Sequence, residues 1–215
     1  SREVEFMTSL IRNGSKILEP AAGDGAFLSA LGDAKVVHCL ELDAGIAPPS
    51  ATIIDFFDFS TENKYDTIIG NPPYVASSLI PRSTKEKLQN LELDSLSGKT
   101  NLFVYFIEKC LNHLSPGGEL IFIVPSNFLM AKSCIQINTR MYNEGSITDF
   151  VNYGNESPFG SDAHPEHGTC IFRYQHGAEN KTTNLYELCH QGRNTPGLIT
   201  MVGQKQYYVH DGISY

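Results

Sequence analysis

No stretch of the sequence runs to eighteen or more apolar residues, so no membrane-spanning helix is expected. No charged-then-apolar leader opens it; the first apolar cluster, Phe6 to Ile11, is short and broken by Thr8 and Ser9. The five cysteines, Cys39, Cys110, Cys134, Cys170 and Cys189, never fall as C-x-x-C. Three lie in apolar runs and read as reduced core thiols of a cytoplasmic protein. Positive charge is in deficit: 16 Lys and Arg against 24 Asp and Glu give a net charge of -8. That balance argues against a surface that grips a polyanion unaided, and leaves a local basic patch or a basic second domain as the route to one. Internal repeats and low-complexity tracts are also missing. The chain opens at Ser1 rather than Met, and is expected to be a processed piece or a fragment.

What is present suits one domain, or one domain and part of a second: 215 residues, 41% hydrophobic and 10% aromatic. Short β-branched runs alternate with longer helical stretches, which predicts an α/β fold built on a doubly wound, mostly parallel sheet. Strands are expected at 16–19, 36–40, 52–55, 66–70 and 120–124, with a late pair at 147–153 and 169–174 that makes one strand antiparallel. Ser83 and Glu86 form a capping-box pair for a helix to about Leu93. Phe103, Phe106, Ile107, Cys110, Leu111 and Leu114 share a helical face, which Ser115-Pro116-Gly117-Gly118 should end. Ser126 or Asn127 would cap a further helix to about Tyr142. After Gly177 the pattern weakens. The expected division is therefore a catalytic domain over 1–177 and the start or remnant of a C-terminal region over 178–215.

Ligands of doubly wound sheets sit at the carboxyl ends of the strands. The first such end reads Glu19-Pro20-Ala21-Ala22-Gly23-Asp24-Gly25, where two glycines permit a tight turn and close backbone approach. Position 28 is Leu, so the full dinucleotide fingerprint G-x-G-x-x-G is not met. Glu41-Leu42 closes the second strand and places an acid where ribose hydroxyls could donate to it. Asp55-Phe56 closes the third, offering an acceptor for an adenine amino group and an aromatic face; Asp58 competes for the first role. The fourth end is Asn71-Pro72-Pro73-Tyr74. An exocyclic amino nitrogen is a poor nucleophile because its lone pair is delocalised into the ring. Two acceptors aimed at its two N–H bonds free that lone pair. The Asn71 side-chain oxygen and the Pro72 carbonyl can supply them, with proline stiffening the turn and Tyr74 offering a stacking face. A plain Asn-Pro turn needs neither the second proline nor the aromatic.

In this order, the motifs resemble those of the gamma-class, TaqI-like adenine-specific DNA methyltransferases of bacterial restriction-modification systems, over roughly residues 2 to 175. Val4-Glu5-Phe6-Met7 is similar to that class's N-terminal cofactor motif, although the Thr-Pro that usually opens it is replaced by Ser1-Arg2. Asn101-Leu102-Phe103 opens the helix that flanks the cofactor, and Pro158-Phe159 falls where the family places a second aromatic against the flipped base. The resemblance implies S-adenosyl-L-methionine as cofactor, adenine extruded from duplex DNA as target, and a bacterial or archaeal cytoplasm. It assigns catalysis to Asn71, Pro72, Pro73, Tyr74 and Phe159. Cofactor binding goes to Glu19, Pro20, Ala21, Gly23, Asp24, Gly25, Glu41, Leu42, Asp55, Phe56, Asn71, Pro73 and Phe103. It further implies a cognate restriction endonuclease or specificity subunit as partner, and weak DNA binding without the large recognition domain that family members carry.

Other readings remain at this point. Methyltransferases of protein glutamine use the same tetrapeptide, since an amide nitrogen has the same delocalisation; the Glu19-Pro20-Ala21-Ala22 loop and Phe159 favour DNA. An RNA amino-methyltransferase is a third reading, and a non-catalytic cofactor- or DNA-binding subunit a fourth, against which the intact Asn71 and Tyr74 stand. His164-Pro165-Glu166-His167 has a metal-like look, but Pro165 breaks the helix that would align its histidines, and no metal is expected. A loop that grips DNA is the preferred reading. Arg82, Lys85, Lys87 and Lys99 form a basic cluster that suits either a solvated helix face or phosphate contact.

Overall fold

The computed structural model describes residues 1–32, 36–91, 93–95, 99–152, 168–189, 198–207, 209–210 and 213–214. Five parallel strands lie in the first 125 residues: β1 (Lys16–Glu19), β2 (Val36–Glu41), β3 (Thr52–Ile53), β4 (Tyr65–Gly70) and β5 (Leu114–Pro125). With β6 (Gly145–Asn152), β7 (Thr169–His176), β8 (Thr182–Cys189) and β9 (Leu198–Gln206), they form one nine-stranded sheet in the order β3-β2-β1-β4-β5-β7-β6-β8-β9. As expected, β7 runs antiparallel, to both β5 and β6. A second antiparallel strand was not foreseen: β9 pairs antiparallel with β8, which itself lies parallel to β6. Gly177, where the domain boundary was expected, is a left-handed turn (φ +75°) between two strands of this sheet, and β8 and β9 extend the sheet beyond it.

Period-two alternation distributes the core to both faces of the sheet. Leu18, Ile68, Leu120, Phe122, Val124 and Phe172 face one cluster, while Ile17, Ile69, Ile121, Ile123 and Ile171 face the other. The first face is covered by α3 (Arg82–Asn90), α4 (Leu102–His113) and α5 (Ile135–Glu144) through Leu88, Phe106, Ile107, Cys110, Leu111, Ile137 and Met141. The second is covered by α1 (Arg2–Ser9) and α2 (Ala26–Leu31) through Val4, Met7 and Phe27. Val4 and Met7 are one turn apart, and the Ser1 hydroxyl accepts from Val4 N at 3.5 Å to cap the helix that carries them. In α4 every residue but Asn112 is buried, as befits a helix apolar nearly all round and enclosed between the sheet and its neighbours.

Three local expectations are corrected. The helix after the fourth strand starts at Arg82, with Pro81 at its N-cap, so Ser83 and Glu86 lie inside it; Glu86 bonds Arg82 at 2.9 Å instead of closing a capping box. Ser115 to Gly118 does not separate α4 from the central strand. These residues form a bulge within β5, whose pairing with β4 steps from Tyr65↔Leu114 to Thr67↔Glu119. The helix expected from Ser126 is two 3₁₀ turns, Ser126–Leu129 and Lys132–Cys134, with α5 beginning only at Ile135. The connection from β2 to β3 is also unusual. A parallel crossover generally takes a helix; here residues 42–51 suffice without one, turned by Asp43, whose carboxylate accepts from Gly45 N at 2.8 Å. The cysteines described, Cys39, Cys110, Cys134 and Cys170, are free and buried. No described helix is long and apolar enough to cross a membrane.

Candidate functional site

Between β1 and β4 the strand order reverses, and in such sheets the crevice at the carboxyl ends of the two strands is where a ligand fits. A cavity of about 300 Å³ lies there. Pro20, Ala21 and Gly23 line it after β1, Glu41 and Leu42 after β2, Asp55 and Phe56 after β3, and Asn71 and Pro73 after β4. These nine belong to the residues singled out from the sequence. Ile54, Phe57, Thr84 and Phe106 line it as well and were not, and Leu102, named in the Asn101-Leu102-Phe103 motif, lines it too. Phe106 carried a signal: it lies one turn beyond Leu102 on the helix already placed beside the site. Thr84 carried none, because only the docking of α3 brings it to the wall.

The glycine loop is drawn across the top of β2 by Glu41. One carboxylate oxygen accepts from Gly23 N at 2.8 Å; the other accepts from Leu42 N at 2.9 Å and Asp43 N at 3.0 Å. Gly25 turns with φ +82°, and a Cβ there would stand 3.2 Å from the Pro48 ring, so two separate constraints ask for glycine. At Gly23 (φ +54°) a Cβ would meet nothing within 4 Å, which leaves open space beside that backbone.

Asp55 sits at the mouth of a 3₁₀ turn, Phe56–Asp58, and caps it by accepting from Phe57 N at 2.9 Å. Its other oxygen accepts from Lys87 Nζ at 2.7 Å, and the same ammonium reaches Asp58 at 2.6 Å. The aromatic wall behind is packed: Phe56 and Phe57 each lie 5.0 Å, centre to centre, from Phe106. Beneath it Lys109 is buried, donates to the Phe57 carbonyl at 2.8 Å and lies 5.2 Å from the Phe56 ring. Burial lowers its pKa to about 8.

Asn71 begins the loop that follows β4. Its side-chain oxygen is buried and has no hydrogen-bond partner among the described residues. Pro72 is buried and Pro73 half-buried. The Tyr74 hydroxyl donates to the Ile123 carbonyl at 2.8 Å, and its ring meets Phe103 edge to face at 6.2 Å. Burial raises the Tyr74 phenol well above its ordinary range, so it stays a neutral donor. The loop is tied to α4 through Leu102 N, which donates to the Val75 carbonyl at 2.9 Å, next to the Asn101 cap of that helix.

Several residues named from the sequence lie elsewhere. Glu19 is only 1% exposed and accepts from the Cys39 thiol at 3.5 Å, behind the wall rather than on it. Phe103 is buried beneath Tyr74, while Leu102 and Phe106 face the cavity. Asp24 and Gly25 shape the loop without lining the cavity. The Val4 to Met7 motif packs into the opposite face of the sheet through Val4 and Met7. Within the basic cluster, Lys87 is engaged with the two aspartates and Arg82 with Glu86. Pro158-Phe159 and His164-Pro165-Glu166-His167 fall outside the described residues.

Two type II methyltransferases are similar: M.HincII of Haemophilus influenzae, 27% identical over 95% of this chain and 41% of the relative, and M.TthHB8I of Thermus thermophilus, 32% identical over 66% and 37%. The chain thus spans about two fifths of the length of the curated relatives it matches. Among solved structures, a putative class I S-adenosylmethionine-dependent methyltransferase from Listeria monocytogenes superposes with a TM-score of 0.66 at 16% identity, covering 86% of this chain and 62% of its own. A modification subunit of a putative type I restriction enzyme from Vibrio vulnificus gives a TM-score of 0.66 at 15% identity, over 92% and 48%. At such identities these likenesses establish the fold, that of the class I methyltransferases. The family model for the Eco57I restriction-modification methylase matches residues 40–159, which take in Glu41, the acids after β3, the Asn71 loop and α4. With more than half of its length so matched, this chain belongs to the Eco57I restriction-modification methylase family.

Proposed function

We propose that this chain carries the catalytic machinery of an adenine-specific DNA methyltransferase, the modification enzyme of a restriction-modification system. It would transfer a methyl group from S-adenosyl-L-methionine to the exocyclic amino nitrogen of an adenine extruded from duplex DNA. The observation that carries this reading is the Asn71 side-chain oxygen, buried on the cavity wall and without a partner among the described residues. An unsatisfied buried acceptor costs about 1–3 kcal/mol. That cost is recovered when a ligand N–H arrives, and an amino nitrogen brings two of them. One would be taken by Asn71 and the other by the Pro72 carbonyl, preorganised by the two prolines. With both N–H bonds held, the nitrogen is drawn toward a pyramidal geometry and its lone pair is free to attack. The proton leaves after the nitrogen has become cationic, so no side chain with a tuned pKa is required.

The cavity suits the cofactor by its chemistry. At about 300 Å³ it is at the lower end of the range for small-molecule sites, about 300–1,000 Å³. Glu41 and Asp55 keep acceptor capacity beyond the bonds they already make, for the ribose hydroxyls at Glu41 and the adenine amino group at Asp55. Phe56, Phe106, Leu42 and Ile54 supply apolar contact for a ring. When bound, the cofactor supplies an electrophilic methyl group on a sulfonium. Tyr74, clamped at its hydroxyl by Ile123, would stack on the target base with its ring orientation already set. The names of the relatives, type II methyltransferases, and of the family support the modification role. We read the region from residue 178, which begins with β8 and β9, as the base of a recognition part, and a cognate endonuclease or specificity subunit as partner.

The test is transfer of label from radioactive cofactor to duplex DNA, RNA and protein in parallel, with the methylated atom identified. Asn71→Ala should lower transfer to adenine to background while cofactor affinity, read by calorimetry, stays nearly unchanged. Retained turnover would remove Asn71 from the chemistry; label on glutamine or RNA would replace the DNA reading.

A further inference from the structure

The bridge from Lys87 to Asp55 and Asp58 has no part in methyl transfer as described, yet it stands at the wall of the nucleoside cavity. Thr84 lines that cavity, and Lys87 lies one turn further along the same face of α3. Its ammonium is 2.7 Å from one oxygen of Asp55 and 2.6 Å from Asp58, at 35% side-chain exposure. The second Asp55 oxygen is held at 2.9 Å by Phe57 N. Asp55 is thus gripped from two elements, the 3₁₀ turn it caps and α3, with its side chain 15% exposed. Without the lysine, two carboxylates within reach of one ammonium would repel each other, and Asp55 would keep only the backbone contact.

A fixed carboxylate can only accept. An amino-bearing purine presents N–H groups to it; an oxo purine presents a lone pair, which is repelled. From this geometry we infer that Lys87 is a positioning residue that sets the cofactor site's choice of an amino over an oxo purine, by holding Asp55 as an oriented, charge-compensated acceptor. The inference rests on the reading of Asp55 as the partner of the cofactor's adenine. The hydrogen bonds to Asp55, and then to Asp58, raise the Lys87 pKa, which keeps the bridge cationic across the neutral range.

Binding of S-adenosylhomocysteine and of its deaminated, hypoxanthine-bearing counterpart, measured by calorimetry on the whole chain, tests this. The wild-type protein should prefer the adenine compound by about tenfold or more, the scale of one hydrogen bond to a charged group. Lys87→Met should bring the two affinities close together, chiefly by weakening the adenine compound, and Lys87→Arg should keep the preference. Asp55→Asn, run in parallel, should also erase it. If Lys87→Met weakens both compounds equally, or leaves the preference intact while Asp55→Asn removes it, Lys87 has no role in selectivity and the reading of Asp55 survives. A wild-type protein without preference removes Asp55 as the adenine partner and the role of Lys87 with it. Lys87→Gln serves in the same comparison should the Met variant fail to fold.

Discussion

Glu19 lies one residue from the cavity wall, yet its carboxyl is buried, and burial together with the nearby Asp24 charge pushes its pKa up to about 8 against the Cys39 hydrogen bond. A carboxyl whose folded pKa exceeds its unfolded value binds more protons when folded. Its stabilisation is complete below the unfolded value, 4.5, and is lost as pH rises through about 8. The unfolding free energy in urea should therefore fall between about pH 5 and about pH 9, by an amount on the order of a few kcal/mol, and Glu19→Gln should flatten that fall. An equal slope in the variant would place the titration elsewhere. The same residue shows what a motif can and cannot reveal. Its place as the last residue of a buried strand marks the strand end correctly. Which way a side chain at that end points depends on the pleat, and at Glu19 it points inward beside Cys39. Asn71, Glu41 and Asp55 were legible because each stands at, or within two residues of, the carboxyl end of a strand. Lys87 and Thr84 were not, because α3 reaches the cavity by packing, which no spacing in the sequence encodes.

At the scale of elements, the join between the parallel part of the sheet and its antiparallel end is ionic and buried. Arg173 on β7, 1% exposed, donates to Glu119 of β5 at 2.7 Å and to Thr148 of β6 at 2.6 Å. Asp149 of β6, fully buried, accepts from Arg12 at 3.0 Å, and from Asn184 at 2.9 Å and Tyr186 at 3.0 Å on β8. Glu119 also receives the backbone of Arg12 and Asn13, so the turn before β1 is fixed to the same group. Removing one member strands the others without water. Arg173→Ala should cost about 3–5 kcal/mol, the usual penalty for breaking a buried pair, and the loss would appear as a lower urea midpoint. A change within about 0.5 kcal/mol would mean that the cluster is solvated or redundant. The continuous apolar run Leu120 to Val124 made the centre of β5 visible in the sequence. It could not reveal the bulge at Ser115 to Gly118, where a breaker sequence is absorbed into a strand because β4 resumes pairing at Glu119. Nor could it place β8 and β9 in their polar, Gly- and Asn-rich surroundings: β8 is tied to Asp149 through Asn184 and Tyr186, and β9 pairs with β8.

For the whole molecule, a net charge of -8 and a length about two fifths that of its curated relatives bear on how it meets DNA. The chain should bind duplex DNA weakly and without sequence preference, with affinity that falls steeply as salt rises. A gel assay that gave a tight, sequence-specific shift would contradict this. The two edges of the sheet differ in kind. At one side β3 contributes only Thr52–Ile53, too little ladder for another strand to hold. At the other, β9 runs from Leu198 to Gln206 with β8 as its one neighbour among the described residues, and Met201 and Val202 are half-exposed. A long strand at the edge of a sheet is a template on which a further strand can pair. Of the two edges of the described sheet, β9 is the longer, and it lies on the side away from the cavity. A strand added at β9 would leave the cofactor crevice between β1 and β4 untouched, four strands and more removed.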